Sequence, residues 1–577
     1  MTTMRSAARG HVAAAILIAV AAVTLRAIWL TADPPSDPTV GIVWHDEGAW
    51  VHSARNKALW GAWRTDNWNP VFVAPVFTAL EYASFSAFGV GTWQARVVSI
   101  ASGLLAVLAL GWGLRAAAGM RAALLGSALL ATNFFLVMWN RAALMESTMT
   151  SLIVVGWAAY ARAHAGRPTW GAVAGVAVVL AFFTKAAAAF FVGALVLDAA
   201  ITLLLSASAS LRARLTVPAP AGEAARAASW TIAGLAAASL AVALVFVVPW
   251  WTEFRFYNWE MSVTRKPDYT VRAFLDRASW LPVVHDVFTR MWPVLVAGAL
   301  AVLAVVARWR DASPPMRLLV FWLLIGFAEL VVHDSGNERR YVMLVPAVIA
   351  LAAWLAARDR SVDARADGSV RSLSRWMLAP LILFLAYLVC GSVVRLFDLQ
   401  AVYAHELAWT VRTSAALAVG LTIVMLAFWT RVDRWVRHGA WPASGVMVLA
   451  AIAIGLDLWQ YAGWSRSRTD LNYQASLAVG RLVPDGTLVH GKLANGLALE
   501  NRIRPVFVGR GFGNYADRFE RTDIRYLLTY LKPKPGYEGP VILEVLDYLP
   551  DERVVVTFPV QETPAVDEAA LIDKFPR

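Results

Sequence analysis

Cysteine and charged residues are both scarce in this chain of 577 residues. Cys390 is the single cysteine, so an intramolecular disulfide is excluded, and its apolar neighbours favour an inert packing thiol. Charged residues make up only 16% of the sequence and hydrophobic residues 59%, a balance that excludes an ordinary soluble domain. Apolar runs of membrane length are abundant instead, and they predict an integral membrane protein with many helical spans.

The positive net charge of +12 does not indicate nucleic-acid binding, because lysine and arginine are concentrated between the apolar segments. That arrangement is typical of topology signals and of contacts with lipid head groups. We therefore expect membrane lipid as a partner and no nucleic acid. The histidines His52, His285 and His333 lack metal-ligand spacing, which favours surface or packing roles.

Apolar runs of membrane length predict about thirteen membrane-spanning helices, at about 20 residues per span. The first run, 12–30, is long enough to span, so we interpret it as a retained helix and not as a cleaved signal peptide. The other candidates are 97–114, 122–138, 147–161, 170–183, 186–205, 230–250, 292–307, 318–332, 341–357, 377–394, 415–429 and 446–459.

A further apolar segment, 71–88, decides on which side of the membrane every later loop lies. If it does not span, the arginine-rich loops, such as those holding Arg115 and Arg431, all fall on the side of the N-terminus. The positive-inside rule favours this arrangement, with a cytoplasmic N-terminus and with 71–88 as a helix in the outer interface. An odd number of spans then predicts an extracytoplasmic C-terminus.

The composition changes after Tyr461, which predicts a membrane domain at 1–463 and a small extracytoplasmic α/β domain at 464–577. The domain is predicted from β-rich pieces and from stretches compatible with helices. A glycine-rich run at 509–513 lacks the spacing of a dinucleotide fingerprint and the lysine of a P-loop, so a plain turn is favoured. The β-rich pieces are 487–490, 506–508, 524–529 and 541–545, and the helix-compatible stretches are 493–500 and 515–521.

Three acids are candidates for chemistry at the outer face. Asp46 and Glu47 are adjacent in the first polar loop, and Glu146 begins an apolar helix. A solvated pair of loop acids would explain the first two without a function. The helix dipole would equally favour a carboxylate at the position of Glu146.

The candidate cations lie at the ends of apolar segments on the same predicted face. Lys185 stands between two apolar runs, where a charge is costly unless it has a partner or reaches the interface by snorkelling. Arg339 and Arg340 precede Tyr341 at the start of another span, where they would also serve as interfacial anchors. Arg265 and Lys266 lie in a long polar loop on that face, 251–290.

Taken in order, these residues resemble the GT-C class of multispanning glycosyltransferases, in particular the family of aminoarabinose transferases and protein O-mannosyltransferases. The family's Asp-Glu pair, its interfacial helix ending in Phe-Gly and its Thr-Lys turn have counterparts here, but the family's lysine before a proline is Ala74. The matching residues are Asp46-Glu47, Arg55, Gly61-Ala62-Trp63, Pro75, Phe88-Gly89, Ala95-Arg96, Glu146, Thr184-Lys185, Pro249-Trp250, Arg340-Tyr341 and Pro346.

The resemblance implies transfer of a sugar from a polyprenyl phosphate to a glycan, lipid or protein acceptor of the cell envelope on the outer face, with inversion. It implies Asp46 as the base, with Glu47 and Glu146 as catalytic helpers. It also implies that Lys185, Arg339 and Arg340, with Arg265 and Lys266, bind the donor phosphate. Arg55 and Tyr341 are candidate contacts to donor or acceptor, and the protein is expected to be a monomer.

A divalent cation (Mg²⁺, Mn²⁺ or Zn²⁺) held by Asp46 and Glu146 is a further expectation, although no ligand spacing in the chain requires one. The main alternative function is a protein O-mannosyltransferase, which differs in its acceptor. A lipid or ion transporter is less favoured, because the charges cluster at one predicted face and no repeat is evident. A scaffold whose tail binds a partner is a further alternative, and full activity of an Asp46→Ala variant would support it.

Overall fold

The computed structural model describes residues 2–35, 42–215, 222–261, 270–275, 286–333, 338–358, 374–397, 407–438, 442–509, 512, 514–532, 539–549, 553–562 and 566–575. Helices make up most of this part of the chain. A five-stranded sheet lies near the C-terminus.

Each of the thirteen apolar segments predicted to span contains a helix. The helices of the membrane part are α1 (Thr2–Ala27), α2 (His45–Trp60), α3 (Pro75–Phe88), α4 (Thr92–Thr132), α5 (Phe134–Asn140), α6 (Met145–His164), α7 (Trp170–Thr184), α8 (Ala189–Ala207), α9 (Ala209–Leu215), α10 (Gly222–Val242), α11 (Trp251–Arg255), α12 (Val271–Leu275), α13 (Asp286–Arg290), α14 (Trp292–Ala307), α15 (Pro314–His333), α16 (Val345–Ala356), α17 (Arg375–Phe397), α18 (Leu407–Ala427), α19 (Trp429–His438) and α20 (Ala443–Ser467). Tighter 3₁₀ turns cover Pro70–Phe72, Ala186–Ala188 and Glu338–Met343, and wider π turns cover Ala243–Val247 and Phe256–Glu260.

In the described part of the chain, eight helices are long and apolar enough to cross a membrane. The number rises to nine if α5 and α6 form one bent span, and α7, α14 and α16 are shorter apolar helices. The predicted fold class is confirmed at this level: the protein is a helical multi-pass membrane protein with a small C-terminal sheet domain. The figure of about thirteen spans stays a prediction, because several of these helices are shorter than a full span.

The helices are broken at Gly119 and between α5 and α6, and the second break positions a residue of the candidate site. Gly119 has a φ of 88°, a left-handed value that favours glycine, and it divides α4 between the predicted spans 97–114 and 122–138. The second break lies between α5 and α6, whose axes differ by 117°. Glu146 therefore lies in the first turn of α6, directly after this sharp change of direction.

In the segment 71–88 the only α-helix is the 14-residue α3, which begins at Pro75 after the 3₁₀ turn Pro70–Phe72 and ends before Gly89. Proline at the first helical position fits the start of a helix because its missing N–H has no partner there in any case. Fourteen residues fall short of the length of about 20 needed to cross the hydrocarbon core. The length of α3 therefore agrees with an interfacial helix.

The C-terminal domain is a mixed sheet with three helices. Its strand order is β2-β1-β3-β5-β4, where β1 pairs in parallel with β2 and β3, and β5 pairs antiparallel with β3 and β4. The elements are α21 (Leu471–Leu482), β1 (Leu488–His490), α22 (Lys492–Gly496), β2 (Arg504–Val506), β3 (Tyr526–Tyr530), α23 (Gly539–Tyr548), β4 (Arg553–Gln561) and β5 (Val566–Asp573).

Two expectations for this domain are wrong. The predicted strand 541–545 lies within α23, where Val541, Ile542 and Val545 are buried and Leu543 is exposed. Burial at positions one and four residues apart is helical periodicity, which so short an apolar run did not reveal. The stretch 515–521 forms turns instead of a helix, and β4 and β5 were not predicted.

The C-terminal domain packs directly on α2 through two glycines. A Cβ atom on Gly48 would lie 1.8 Å from the carbonyl oxygen of Asn495, and one on Gly496 would lie 2.8 Å from the Cα atom of His45. Neither position accepts a side chain without displacing the backbone. The helices α2 and α22 are therefore held in close contact.

Hydrogen bonds add to this contact at two further places. The buried Arg55 guanidinium of α2 donates to the carbonyl oxygens of Ala498, Asn501 and Ile503 at 2.9 to 3.1 Å. Asp33, after α1, accepts hydrogen bonds from the backbone N–H groups of Leu471 and Asn472 and so caps the start of α21. The C-terminal domain is thereby fixed to the membrane part along α2 and at the segment that follows α1.

Candidate active site

Asp46 lies in the first turn of α2, beneath the C-terminal domain. Its Oδ2 atom is 2.8 Å from Nη1 of Arg339, and its Oδ1 atom is 3.4 Å from Nζ of Lys492. The side chain is 12% exposed. One nearly buried carboxylate thus contacts two cations that come from distant parts of the chain.

These contacts control the ionisation of Asp46. Burial alone would raise its pKa, but the Lys492 ammonium, the adjacent His45 ring and the Arg339 guanidinium outweigh burial. Together they hold the pKa of the Asp46 carboxyl well below its usual range. In this arrangement Asp46 is a firmly ionised carboxylate and a weak proton acceptor.

Glu47 is the neighbour of Asp46 in sequence but has different surroundings. Nε and Nη2 of Arg96 donate to its two oxygens at 2.8 and 2.7 Å, and the backbone N–H of Ala143 donates at 2.8 Å. Arg96 also donates to the carbonyl oxygens of Leu30 and Ala32. A paired carboxylate of this kind ties α2, α4 and the link between α5 and α6 together.

Glu146 connects Asp46 to Lys185 through a chain of charges. Lys185 donates to Oε1 of Glu146, and Nε of Arg339 lies 3.7 Å from the same oxygen. Arg339 therefore contacts both acids, Asp46 and Glu146. Lys185 is 9% exposed and occupies an extended position between α7 and the turn Ala186–Ala188.

Arg340 and Tyr341 follow Arg339 in the 3₁₀ turn Glu338–Met343. The charge of Arg340 acts on both Glu146 and Lys185. Tyr341 is fully buried and packs edge to face on Phe288, with ring centroids 5.7 Å apart. Arg340 thus belongs to the same electrostatic cluster, whereas Tyr341 lies in the apolar packing beneath it.

The structure brings together Asp46, Glu146, Lys185, Arg339 and Arg340, which the sequence had placed on one face. Arg55 instead has its guanidinium against the carbonyl groups of the C-terminal domain, so a role in contacting donor or acceptor stays a prediction. Arg265 and Lys266 lie outside the described residues.

Sequence reasoning gave no role to Lys492, which completes the contacts of Asp46. It is the first residue of α22, it follows Gly491, and 446 positions separate it from Asp46. No periodicity or motif in the tail marks this lysine. Only the packing of α22 on α2 brings it to the acid.

The residues present do not fit a metal held by Asp46 and Glu146. Both carboxylates contact cationic side chains, and the part of the chain that the structure describes contains no group of three or more His, Cys, Asp or Glu residues suited to a metal. No step of a reaction is therefore assigned to a metal.

Residues 72–220 match the family described as dolichyl-phosphate-mannose-protein mannosyltransferase. The matched segment includes Glu146 and Lys185 and ends well before the C-terminal domain. No curated protein sequence matches the chain. The family match confirms the class predicted from the ordered residues: the protein is a multi-pass membrane glycosyltransferase.

Three solved structures resemble the chain over most of its length. ArnT from Cupriavidus metallidurans bound to undecaprenyl phosphate is 16% identical, with 98% of each chain covered and a TM-score of 0.49. An oligosaccharyltransferase from Archaeoglobus fulgidus tethered to an acceptor peptide is 13% identical, with 90% of this chain and 69% of that chain covered and a TM-score of 0.43. The arabinofuranosyltransferase AftD from Mycobacteria is 14% identical, with 99% of this chain and 40% of that chain covered and a TM-score of 0.43.

Proposed function

We propose that the protein transfers a sugar from a polyprenyl-phosphate donor to an acceptor hydroxyl of the cell envelope. The observation that carries this proposal is the excess of positive charge around the two acids. Four basic residues, Lys185, Arg339, Arg340 and Lys492, lie around two carboxylates, Asp46 and Glu146, so the basic groups of this cluster outnumber its paired acids. A phosphate group matches such a surplus.

The cations would hold the phosphate of the donor and stabilise the charge that develops on it. During transfer the bond between the sugar's anomeric carbon and the phosphate oxygen breaks, and its electron pair stays on the phosphate. The acceptor oxygen forms the new bond to the same carbon and gives up its proton. Inversion at that carbon remains the expectation from the family resemblance.

Asp46 is the proposed acceptor of that proton. Its pKa is held low by Lys492 and Arg339, so it accepts a proton poorly while both cations contact it. A bound phosphate would draw these cations toward itself. The pKa of Asp46 would then rise toward its ordinary value, and the base would become active only when the donor is in place.

The acceptor is proposed to be a glycolipid or polysaccharide on the outer face of a bacterial plasma membrane. A protein acceptor is the second candidate, because the family matched by 72–220 is described by transfer to protein. The cytoplasmic N-terminus, the extracytoplasmic C-terminal domain and the monomeric state are parts of the same proposal.

The test incubates purified full-length protein with radiolabelled polyprenyl-phosphate sugars and with cell-envelope fractions separated into lipid, glycan and protein. We expect label to enter the lipid or glycan fraction and to fall to background with an Asp46→Asn variant. The absence of transfer from every donor would refute the function, and label in the protein fraction would favour the second candidate. A reporter fused after Tyr461 that faces the cytoplasm would refute the orientation.

A further inference from the structure

We propose that Lys492 binds the donor phosphate, so that the C-terminal domain supplies part of the transferase site and the site is incomplete without it. The proposal rests on the proposed function. It concerns a residue in the sheet domain, outside the segment 72–220 that matches the glycosyltransferase family.

The first argument is the position of the ammonium group. Lys492 approaches Oδ1 of Asp46 at 3.4 Å, whereas Arg339 contacts Oδ2 at 2.8 Å. The two cations therefore use different oxygens of the one acid. An anion placed beside Asp46 would lie within reach of both.

The second argument is accessibility. The Lys492 side chain is 27% exposed, compared with 15% for Arg339 and 9% for Lys185. The contact from Lys492 is also longer than the contact from Arg339. Of these three cations Lys492 is therefore the most accessible to an incoming donor, and its flexible stem lets the ammonium group reach a phosphate oxygen beside Asp46.

The third argument is that the backbone beneath Lys492 is fixed. Gly491 has a φ of 126°, and a Cβ atom there would lie 2.1 Å from the carbonyl oxygen of Leu528 in β3. At the other end of α22, Gly496 touches the backbone of His45. The backbone of Lys492 is thus held between the sheet and α2, so its position is fixed before the donor binds.

Charge balance gives the fourth argument. Arg339 alone already supplies an opposite charge to Asp46 at close range. A second cation on the same acid adds nothing to neutrality and leaves the site positive. The donor is a phosphodiester with one negative charge, and the leaving polyprenyl phosphate gains a second, so a second cation beside Arg339 matches the charge that develops during transfer.

The experiment compares three variants of the full-length protein with wild type: Lys492→Met, Lys492→Arg and the control Lys532→Met. Lys532 is an exposed lysine of the same domain and is not among the residues of the site. Binding of polyprenyl phosphate is measured in detergent, transfer is resolved into kcat and KM for the donor, and thermal unfolding reports on folding.

We expect Lys492→Met to weaken polyprenyl-phosphate binding and to raise the donor KM about tenfold to a hundredfold, as for loss of a charged hydrogen bond. The melting temperature should stay at that of wild type. Lys492→Arg should recover most of the binding, and Lys532→Met should behave as wild type. A purely structural role would instead lower the melting temperature without rescue by arginine.

A fourth variant, Gly496→Leu, tests the domain itself. The added side chain would collide with the backbone of His45 and move Lys492 away from Asp46, so donor binding should fall although the lysine is intact. The role of Lys492 would be overturned if Lys492→Met bound polyprenyl phosphate as tightly as wild type does. It would also be overturned if binding by Lys492→Met were weaker only because the variant is less stable, as shown by an equally lowered melting temperature. If wild type itself binds no polyprenyl phosphate and transfers no sugar, the proposed function fails together with this inference.

Discussion

Replacement of Asp46 by asparagine should separate donor binding from sugar transfer. The variant keeps the shape of the side chain but removes the charge that Arg339 contacts at 2.8 Å and Lys492 at 3.4 Å. Both cations would then be available to phosphate without a competing carboxylate. The proton acceptor, however, would be lost.

The structure sets the scale of the effect on binding, and general-base catalysis sets the scale of the effect on the rate. At an effective dielectric constant of about 20, opposite unit charges 2.8 Å apart attract by about 6 kcal/mol. If a quarter of this attraction, about 1.5 kcal/mol, is transferred to the donor phosphate, binding tightens about tenfold. Loss of a general base typically slows the chemical step by about 10²- to 10⁴-fold.

The assay measures polyprenyl-phosphate affinity and the single-turnover rate of transfer on the same preparations of wild type and Asp46→Asn. We expect unchanged or tighter binding together with a rate reduced by at least about a hundredfold. Asp485→Asn, an exposed acid of the C-terminal domain, is the matched control and should leave both quantities unchanged. Donor binding that falls as far as the transfer rate would refute a role for Asp46 as the base, because the residue would then act in ground-state binding.

Three further predictions concern the charges around Asp46. Glu146→Gln leaves the buried Lys185 without its carboxylate and should lower the free energy of unfolding by about 3 kcal/mol. The double variant Glu146→Gln with Lys185→Met should recover much of this stability, but it should not recover sugar transfer. Chemical denaturation measures the stability of both variants. Arg96→Lys removes the bidentate hydrogen bonds to Glu47 and should lower the free energy of unfolding by about 1.5 to 3 kcal/mol, also measured by chemical denaturation. An unchanged denaturation midpoint would show that this ion pair does not stabilise the contact between α2 and α4. Because the native pKa of Asp46 is lowered, its stabilising contribution is complete above the unfolded-state pKa of about 4 and is lost only as pH falls through the lower native value. The difference in melting temperature between wild type and Asp46→Asn should therefore stay constant from about pH 7 to about pH 5, and a decrease within that window would contradict the assigned ionisation.

Much of the helical architecture could be predicted because long apolar runs carry a strong signal. The thirteen predicted segments all contain helices, and 71–88 forms a helix too short to span. The C-terminal domain was harder, because short apolar runs are ambiguous between strand and buried helix. The segment 541–545 is such a run, and its burial in α23 depends on the sheet beside it.

For the candidate site, the sequence predicted which charged residues take part but not which of them contact each other. Asp46 and Glu47 are neighbours, and successive side chains on a helix point about 100° apart. Glu47 therefore turns to Arg96, while Asp46 turns to Arg339 and Lys492. Which neighbour faces the cations depends on the rotation of α2 against the bundle, and local sequence does not encode that rotation.

The sequence by itself determined the membrane class, the helical segments and the set of ordered charged residues that resemble a glycosyltransferase family. These properties follow from composition and from order along the chain. The tertiary structure alone decided that Arg339 contacts both acids and that Lys492 reaches Asp46 from the C-terminal domain. Lys492 lies 446 positions from Asp46, and only the close packing of Gly48 and Gly496 brings the two charges together.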